Sequence, residues 1–171
     1  MEWDQILKQK YYLSEKEKLH WFGDGEWIKE PDFFEFTYRH FDCKIFRTCI
    51  KEPYSEKFHI FGGHLCGYVL VPEDHPYFEM KYQDMGINCH QGLTFSEMDS
   101  QKRYWIGFDC GHYVDYIPSL EKFKTENKIL KEPYPLPEGF EKFSIFNPVY
   151  RNIEYCIGEC ISIVDQLIEA K

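Results

Sequence analysis

The middle of the chain alternates between apolar and polar side chains with a period of two, the pattern of half-buried β-strands. Residues 33–50 show it most clearly, because Phe34, Phe36 and Tyr38 alternate with polar neighbours. The alternation predicts either two antiparallel strands joined by a short turn near Asp42 or one long bent strand.

Shorter apolar runs predict the remainder of a sheet. Segments 58–61 and 65–71 have the composition of strands, and segments 93–96 and 103–110 predict an antiparallel pair separated by a charged loop. Between these runs, residues 77–86 predict a polar connection or a short helix.

Helical spacing appears on both sides of the strands. Residues 2–21 predict one or two short helices, because Ser14 and Glu17 have the spacing of a capping box. Later in the chain, Asn147 is a good N-cap and Pro148 a good first helical residue. The apolar positions that follow predict an amphipathic helix of about six turns. These positions are Val149, Ile153, Cys156, Cys160, Ile163, Val164 and Leu167.

These elements predict an α+β fold, an antiparallel β-sheet core with helices from both termini packed on it. At 171 residues the chain is predicted to form one domain, 1–171. Within it, residues 1–30 form a helical segment, 31–118 the sheet with the candidate site, and 147–170 the last helix. The proline-rich segment 121–141 is interpreted as a surface excursion.

Composition favours a sheet with an aromatic core, because the chain has 15 Phe and 13 Tyr. Aromatic residues this abundant are mostly core, although Tyr68, Tyr82, Tyr104 and Trp105 are candidates for stacking on a base. The net charge of −9 argues against direct nucleic-acid binding, since an acidic surface repels phosphates. The same charge suits a basic protein partner.

The expected compartment is the cytoplasm. No stretch approaches the roughly 20 apolar residues of a membrane span. The first residues, Met-Glu-Trp-Asp-Gln, lack the basic and apolar regions of a signal peptide. The seven cysteines are an odd number and include no Cys-x-x-Cys pair, so we expect free, buried thiols. Cys156 and Cys160 are expected in the core.

Chemistry-bearing residues concentrate in segments 62–76, 89–96 and 105–115, which hold His64, His75, His90 and His112 among other polar residues. Glycines beside polar residues at strand ends indicate sharp turns or close backbone approach. The mixture of hydrogen-bond donors and acceptors suits ribose hydroxyls and base edges, and predicts a pocket for a small nucleotide-type ligand. The predicted ligand-binding residues are His75, His90, Thr94, Ser96, Asp109, His112 and Asp115.

The same residues allow an enzyme as an alternative. His90 and His112 would act as acid and base, with Asp109 orienting one imidazole, in a hydrolase or phosphodiesterase. A serine nucleophile is disfavoured, because Ser96 is followed by Glu97 and no Gly-x-Ser-x-Gly elbow occurs. Alternatively, Asp109 and His112 only cap turns.

A metal site is the weaker alternative. His64 and Cys66 are two residues apart, as are Cys110 and His112, so each pair would share one face of a strand. Because this spacing matches none of the usual zinc signatures, we expect no cofactor, with zinc on these four residues as the alternative. The pair Gly62–Gly63 precedes a strand, so neither a P-loop nor a dinucleotide fingerprint fits.

Together, the three segments resemble a family of uncharacterised proteins encoded by bacteriophages and prophages. The pattern runs from Cys-Gly-Tyr-Val to Pro-x-x-His-Pro, His-Gly-Gly-Leu-Thr-Phe/Tyr-Ser, and Trp-x-x-Gly-Phe-Asp with a downstream His, Asp and helix. Gln91 stands where the pattern has glycine, so a less tight turn is expected after His90; Trp105 is also one residue closer to its glycine. The matching residues are Cys66–Val69, Pro72–Pro76, His90–Ser96, Trp105–Asp109, His112, Asp115 and the helix around Ile153–Leu167.

The resemblance implies a phage accessory protein in the cytoplasm of a bacterial host cell, and such proteins often counter bacterial defence. Three functions stay open: binding a nucleotide-type signal, hydrolysing one, or acting as an acidic inhibitor of a defence effector such as a CRISPR nuclease. Binding is the first expectation, because no complete nucleophile–base pair is evident in the sequence. Apolar helical faces near both ends also leave a homodimer open.

Overall fold

The secondary structure lies in three stretches of the chain. The computed structural model describes residues 8–49, 62–127 and 147–170. The strands are β1 (Lys8–Lys10), β2 (Phe33–Tyr38), β3 (Phe41–Cys49), β4 (Gly62–Val71), β5 (Phe95–Met98) and β6 (Tyr104–Asp109). The helices are α1 (Glu15–Phe22), α2 (Pro118–Asn127) and α3 (Ile153–Glu169), with 3₁₀ turns at Glu26–Ile28 and Tyr82–Asp84.

The strands form one six-stranded sheet in the order β1-β2-β3-β4-β6-β5. Every neighbouring pair is antiparallel, which confirms the α+β class. Helix α3 packs on β3 and β4, while α1 packs on α2 and α2 on β4. The predicted pairing of the last two strands is also confirmed, with Phe95 opposite Gly107.

The long alternating segment forms a hairpin. Of the two predictions for residues 33–50, two strands joined by a turn is the correct one, but the turn comes before the position predicted near Asp42, which lies within β3 opposite Thr37. The turn residues are Arg39 and His40, with φ angles of 46° and 70°. Two successive left-handed residues are typical of the tight hairpin turn whose twist matches the flanking strands. Phe34 and Phe36 point into the core as the alternation predicts.

Helix α3 covers the central strands with a row of fully buried small and branched side chains. The predicted apolar face is confirmed at Cys156, Cys160, Ile163, Val164 and Leu167. Close approach requires a glycine on the sheet, because a Cβ at Gly67 would lie 2.5 Å from the ring of Phe108 and 3.0 Å from Cys160 Sγ. The position of α3 on the sheet is thereby fixed.

The predicted start of this helix is wrong by several residues. Asn147 and Pro148 precede the helix, which begins at Ile153 with Asn152 as the N-cap. The Asn152 carboxamide oxygen accepts the amide of Tyr155 at 3.0 Å. Both asparagines suit a cap by local propensity, so tertiary contacts decide between them.

Those contacts hold the residues before α3 in an extended conformation. Val149 forms a β-bridge with Asp115, and its side chain is 51% exposed rather than buried as predicted. The Tyr150 hydroxyl donates to the Glu30 carboxylate at 2.6 Å and accepts from the Arg47 guanidinium at 2.7 Å. A helix starting at Asn147 would lose these partners.

The beginning of the described chain differs from the helix predicted over 2–21. The capping box of Ser14 and Glu17 is confirmed, and it starts α1. Lys8–Lys10, however, forms an edge strand whose central Gln9 pairs with Phe34. A three-residue strand is too short to produce a periodic signal, and the exposed Lys10 suits a strand at the edge of a sheet.

A buried ion network ties α1 to the sheet. Lys18 is fully buried, and its ammonium lies 2.8 Å from the Asp32 carboxylate. It also donates to the carbonyls of Trp27 and Glu30. Arg47 reaches Asp32 at 2.9 Å and the Glu30 carboxylate at 2.8 Å. The two cations therefore share one set of carboxylates beneath α1.

The surface excursion predicted over 121–141 is wrong in its first part, because α2 extends from Pro118 to Asn127. Its remainder, like the strand predicted at 58–61, lies outside the described residues. Among the residues that the structure describes, no helix is both long enough and apolar enough to cross a membrane.

Candidate functional site

Two tight turns and the first half of α3 meet beyond the end of β6. In the turn 89–92 the last amide donates to the first carbonyl at 2.9 Å, and the turn 112–115 closes in the same way at 2.9 Å. The first turn precedes β5 and the second follows β6. Their meeting brings together the side chains of His90, His112 and Asp115.

These three side chains converge on one carboxylate oxygen. Asp115 Oδ2 lies 2.9 Å from His90 Nε2 and 3.4 Å from His112 Nδ1. One ligand-type atom from each residue falls within a common span of 4.8 Å. The side chains of His90 and Asp115 are 3% and 0% exposed, whereas that of His112 is 24% exposed. The cluster is therefore buried, with His112 on its solvent side.

Helix α3 supports His90 from behind. The backbone amide of His90 donates to Glu159 Oε2 at 2.8 Å. The imidazole Nδ1 of His90 lies 2.9 Å from the Tyr155 hydroxyl. Burial, together with the negative charge of Glu159 and a hydrogen bond to it, raises the pKa of Tyr155 to about 12. The phenol therefore stays protonated at neutral pH and holds the imidazole in place.

Asp115 is the anionic centre of the cluster. Burial alone would raise its pKa, but hydrogen bonds from His90 and from the His112 amide, together with Arg151, lower it below the ordinary value. The His112 amide donates to Oδ2 at 3.1 Å, and Arg151 Nε donates to Oδ1 at 3.3 Å. Asp115 is thus ionised at neutral pH although it is buried.

A second imidazole–carboxylate pair adjoins the cluster. Asp109 Oδ1 lies 3.8 Å from His112 Nδ1 and accepts the amide of Gly111 at 2.9 Å. His64 approaches from β4, and a Cβ at Gly111 would lie 2.9 Å from His64 Nε2. Burial lowers the pKa of His64 to about 4, although the charges of Asp109 and Asp115 oppose the shift. His64 is therefore a neutral neighbour.

The solvent side of the cluster carries an aromatic ring and a cation. Tyr113, at the tip of the turn 112–115, is 79% exposed. The guanidinium of Arg151 lies over the ring of Tyr155, 4.7 Å from its centroid. Val149 extends the exposed apolar surface beside the same turn. A ligand touching His112 would therefore meet an exposed ring and a positive charge.

Four of the seven predicted ligand-binding residues come together here: His90, Asp109, His112 and Asp115. His75 lies elsewhere, with Nε2 2.8 Å from the carbonyl of Leu167 and Nδ1 accepting the Tyr77 amide at 3.0 Å. Leu167 is twelve residues beyond Tyr155 in the sequence, about 18 Å along the helix. Both ring nitrogens of His75 thus have partners within the protein.

The two predicted hydroxyl residues also lie apart from the cluster contacts. Ser96 Oγ accepts the amide of Tyr82 at 3.0 Å and holds the loop between β4 and β5. Thr94 is exposed at the surface, and its amide donates to the Gly107 carbonyl at 2.9 Å. Neither hydroxyl has a contact with the two histidines or two aspartates in the structure as described.

The thiols of the predicted zinc set lie on opposite faces of the sheet. Cys66 is the register partner of Asp109 and shares its face. Cys110 points to the other face, where its Sγ lies 3.8 Å from Cys156 Sγ. All seven cysteines are free, and five are buried, in line with the predicted thiols. His64 Nδ1 instead lies 3.1 Å from the Thr48 hydroxyl, and His112 Nδ1 faces the Asp109 and Asp115 carboxylates.

Several supporting residues were missed by sequence reasoning. Tyr155 and Glu159 are four residues apart on α3, a spacing that puts them on one helix face beside the apolar row. That spacing could have indicated that Tyr155 and Glu159 act together, whereas no sequence pattern distinguished Arg151 or the exposed Tyr113. Among the predicted stacking residues, Tyr104 and Trp105 are buried, and Tyr68 packs on Phe46.

The donor set defines the available chemistry. Two imidazoles and two carboxylates within a few ångströms can exchange protons with a bound molecule, and imidazole nitrogens with carboxylate oxygens are also common ligands of divalent metals. No protein-family model, curated protein or solved structure matches this chain. The function of the site therefore follows from its own geometry and charge.

Proposed function

We propose that this protein is a hydrolase that cleaves a phosphodiester bond in a small nucleotide-type molecule. The observation that carries the proposal is the convergence of His90 and His112 on the Asp115 carboxylate, at 2.9 and 3.4 Å. Such a cluster costs stability to bury, and clusters of this kind concentrate at functional sites.

The four side chains differ in their exposure to solvent, and we assign them two roles on that basis. The side chains of His112 and Asp109 are 24% and 32% exposed, so both can touch a substrate. His90 and Asp115 are buried and act as positioning residues through the turn 112–115. Nδ1 of His112 is buried, so we assign Nε2 as the ring nitrogen that meets the substrate.

The reaction assigned to this geometry is hydrolysis with two proton transfers. The oxygen of a water molecule forms the new bond to phosphorus while the Asp109 carboxylate takes a proton from that water. The bond from phosphorus to the leaving oxygen breaks, and that oxygen receives a proton from His112 Nε2. The products are a phosphomonoester and an alcohol, and protons returned through solvent restore both residues.

The solvent side of the cluster favours a nucleotide-type substrate. Tyr113 offers an exposed ring on which a base can stack. Arg151, at 3.3 Å from Asp115, offers a guanidinium for a phosphate oxygen. Together with the phage-family resemblance, these features support a counter-defence role in which a nucleotide immune signal of the host is degraded.

The test is a hydrolysis assay on cyclic and linear dinucleotides and on bis(p-nitrophenyl) phosphate, with Mn²⁺, Zn²⁺ or Mg²⁺ supplied. Asp109→Asn and His112→Gln should each lower kcat by about 100-fold or more, in the range of general acid–base contributions. Their unfolding temperatures should stay within a few degrees of the parent protein, since both side chains reach solvent.

Matched controls are Asp74→Asn and His20→Gln, which change exposed residues outside the site and should keep full activity. If the protein binds a nucleotide tightly and forms no product, the proposal of a hydrolase is wrong and a nucleotide-binding function replaces it. An absence of both binding and turnover, with salt-sensitive capture of a basic host protein, would favour the acidic inhibitor instead.

A further inference from the structure

We infer that His90, His112 and Asp115 form a binding site for one divalent transition-metal ion. The inference rests on the site of the proposed hydrolase and deepens it, because it names the ion that would activate the attacking water. With the ion bound, His112 would hold it through Nδ1, and the leaving oxygen would take its proton from solvent rather than from His112. The ligand atoms are His90 Nε2, His112 Nδ1 and an oxygen of Asp115, which lie within 4.8 Å of one another.

The hydrogen bonds of His90 fix the orientation of its lone pair. The Tyr155 hydroxyl has the Glu159 side chain as its acceptor, so it accepts from His90 Nδ1–H, which lies 2.9 Å away. His90 Nε2 then faces the Asp115 carboxylate at 2.9 Å, which is a second acceptor. Two lone pairs at this distance repel, so a proton or a metal cation must lie between them.

His112 supplies an independent observation. Its Nδ1 is buried and has no hydrogen-bond partner, although it lies 3.4 Å from Asp115 and 3.8 Å from Asp109. A buried polar nitrogen without a partner costs about 1–3 kcal/mol, so native proteins rarely leave one unexplained. A metal ion between this nitrogen and the carboxylate would satisfy it.

The spacing of the three atoms matches a metal site. Zinc binds histidine nitrogen and carboxylate oxygen at about 2.0–2.2 Å, and a tetrahedral arrangement then separates neighbouring ligand atoms by about 3.3 Å. The separations from Asp115 Oδ2 are 2.9 Å to His90 and 3.4 Å to His112. The two histidine nitrogens lie within 4.8 Å of each other, so binding the ion would require the imidazoles to approach by up to about 1.5 Å to reach tetrahedral spacing.

The support behind the ligands has the form seen in metal proteins. Metal-binding histidines usually give their second nitrogen to a fixed partner, which sets ring orientation and raises ligand basicity. Tyr155 does this for His90 at 2.9 Å, and Glu159 fixes Tyr155. Arg151 holds the other oxygen of Asp115 at 3.3 Å.

Local charge points the same way. Asp109, Asp115 and Glu159 bring three carboxylates to the cluster, against the single guanidinium of Arg151 in contact with it among the described residues. An anionic phosphodiester would be repelled by this balance. A divalent ion would neutralise this charge, and would lower the pKa of a bound water toward neutrality.

The ligand types narrow the choice of ion. Two imidazoles and one carboxylate suit zinc, manganese, iron(II) or nickel better than magnesium or calcium, which prefer oxygen ligands throughout. Three protein ligands also leave a coordination position open for water or substrate. Asp109, 3.8 Å from His112 Nδ1, lies beside the ion and can take the proton of that water.

The experiment measures metal binding directly, so it is separate from any activity assay. The full chain is stripped with a chelator and dialysed against Zn²⁺, Mn²⁺ or Mg²⁺, and bound metal is measured by inductively coupled plasma mass spectrometry. We expect one Zn²⁺ or Mn²⁺ per chain, a higher unfolding temperature with that ion, and no retained Mg²⁺.

The variants separate ligands from bystanders. His112→Ala should lose at least about 100-fold in metal affinity, and Tyr155→Phe about 10-fold, as expected for a supporting residue. His20→Gln and Cys89→Ser should bind like the parent protein, which excludes surface histidine and thiol binding. The absorption spectrum of a Co²⁺-loaded protein should show nitrogen and oxygen ligands without thiolate bands.

The proposal is overturned if no transition metal binds at millimolar concentration, or if His112→Ala binds as tightly as the parent protein. Asp115→Asn is a secondary variant, because its buried carboxylate also holds the turn. Metal binding with no hydrolysis would sustain this inference and refute the proposed function, whereas hydrolysis that survives complete metal removal would do the reverse.

Discussion

Gln91 is held in a conformation that suits glycine. Its φ angle is 52°, in the left-handed region, within the turn that carries His90. The turn is tight despite the side chain, since its closing hydrogen bond is 2.9 Å long, which corrects the looser turn expected from the resemblance. A non-glycine residue in this region costs about 1–2 kcal/mol.

Gln91→Gly should therefore raise the free energy of unfolding by up to about 1 kcal/mol, after part of the gain is lost to backbone entropy. Urea titration of both proteins measures it. Gln83→Gly is the control, since Gln83 is exposed and has no positive φ. An unchanged or lower stability of Gln91→Gly would mean that the side chain makes a stabilising contact.

Residue type alone predicted part of the site. His90, Asp109, His112 and Asp115 could be found because they are polar residues in short glycine-containing segments at the ends of strands. Polarity does not reveal whether a group meets a ligand or the protein itself, so His75 was grouped with them although both its nitrogens have protein partners. Tyr155 was missed because it contacts His90 across 65 residues of sequence.

At the scale of elements, predictions succeeded where a period repeats often enough to be unambiguous. The hairpin of β2 and β3 and the apolar face of α3 were predicted because their patterns extend over many residues. Strand β1 has three residues, too few for a period. Helix α2 was missed because its charged residues and neighbouring prolines resemble a loop.

The buried ion network beneath α1 should contribute substantially to the stability of the fold. Lys18→Met should lower the free energy of unfolding by about 3 kcal/mol, because breaking a buried ion pair leaves polar groups uncompensated. Here those groups are the carbonyls of Trp27 and Glu30 and part of the Asp32 carboxylate. Chemical denaturation followed by circular dichroism provides the measurement.

Lys16→Met is the matched control, because Lys16 is exposed on the same helix and should change stability by less than about 0.5 kcal/mol. A Lys18→Met protein as stable as the parent would show that methionine packs beneath α1 as well as the ion pair does.

The stability of the whole molecule at alkaline pH depends on its buried thiols. Burial, with the nearby charge of Asp109, raises the pKa of Cys66 to about 12. The pKa of Cys160 is also raised, by burial and by its neighbour Cys43. A folded-state pKa above the unfolded value of about 9 contributes stability that is fully present below pH 9 and lost as pH rises through the folded value.

We therefore expect the unfolding temperature to fall between about pH 9 and pH 12. Iodoacetamide at pH 8 should label Cys49 before the five buried thiols, as read by intact mass and peptide mapping. Cys89 should react more slowly than Cys49, because burial and the charge of Glu159 raise its pKa to about 12. Urea should release all seven for labelling. Labelling of Cys66 as fast as Cys49 in the native protein would contradict this assignment.

Helix α3 serves the sheet and the site with adjacent positions. Cys156 and Cys160 pack on the sheet, while their neighbours Tyr155 and Glu159 hold the turn of His90. An insertion or deletion of one residue just before the helix would rotate it by about 100°. Each side chain would then move toward the position of its neighbour, so the residues that pack on the sheet and those that hold His90 would both be displaced. A side-chain substitution on this helix therefore affects either the core or the site, whereas a change in the number of residues between Val149 and Tyr155 would disturb both together.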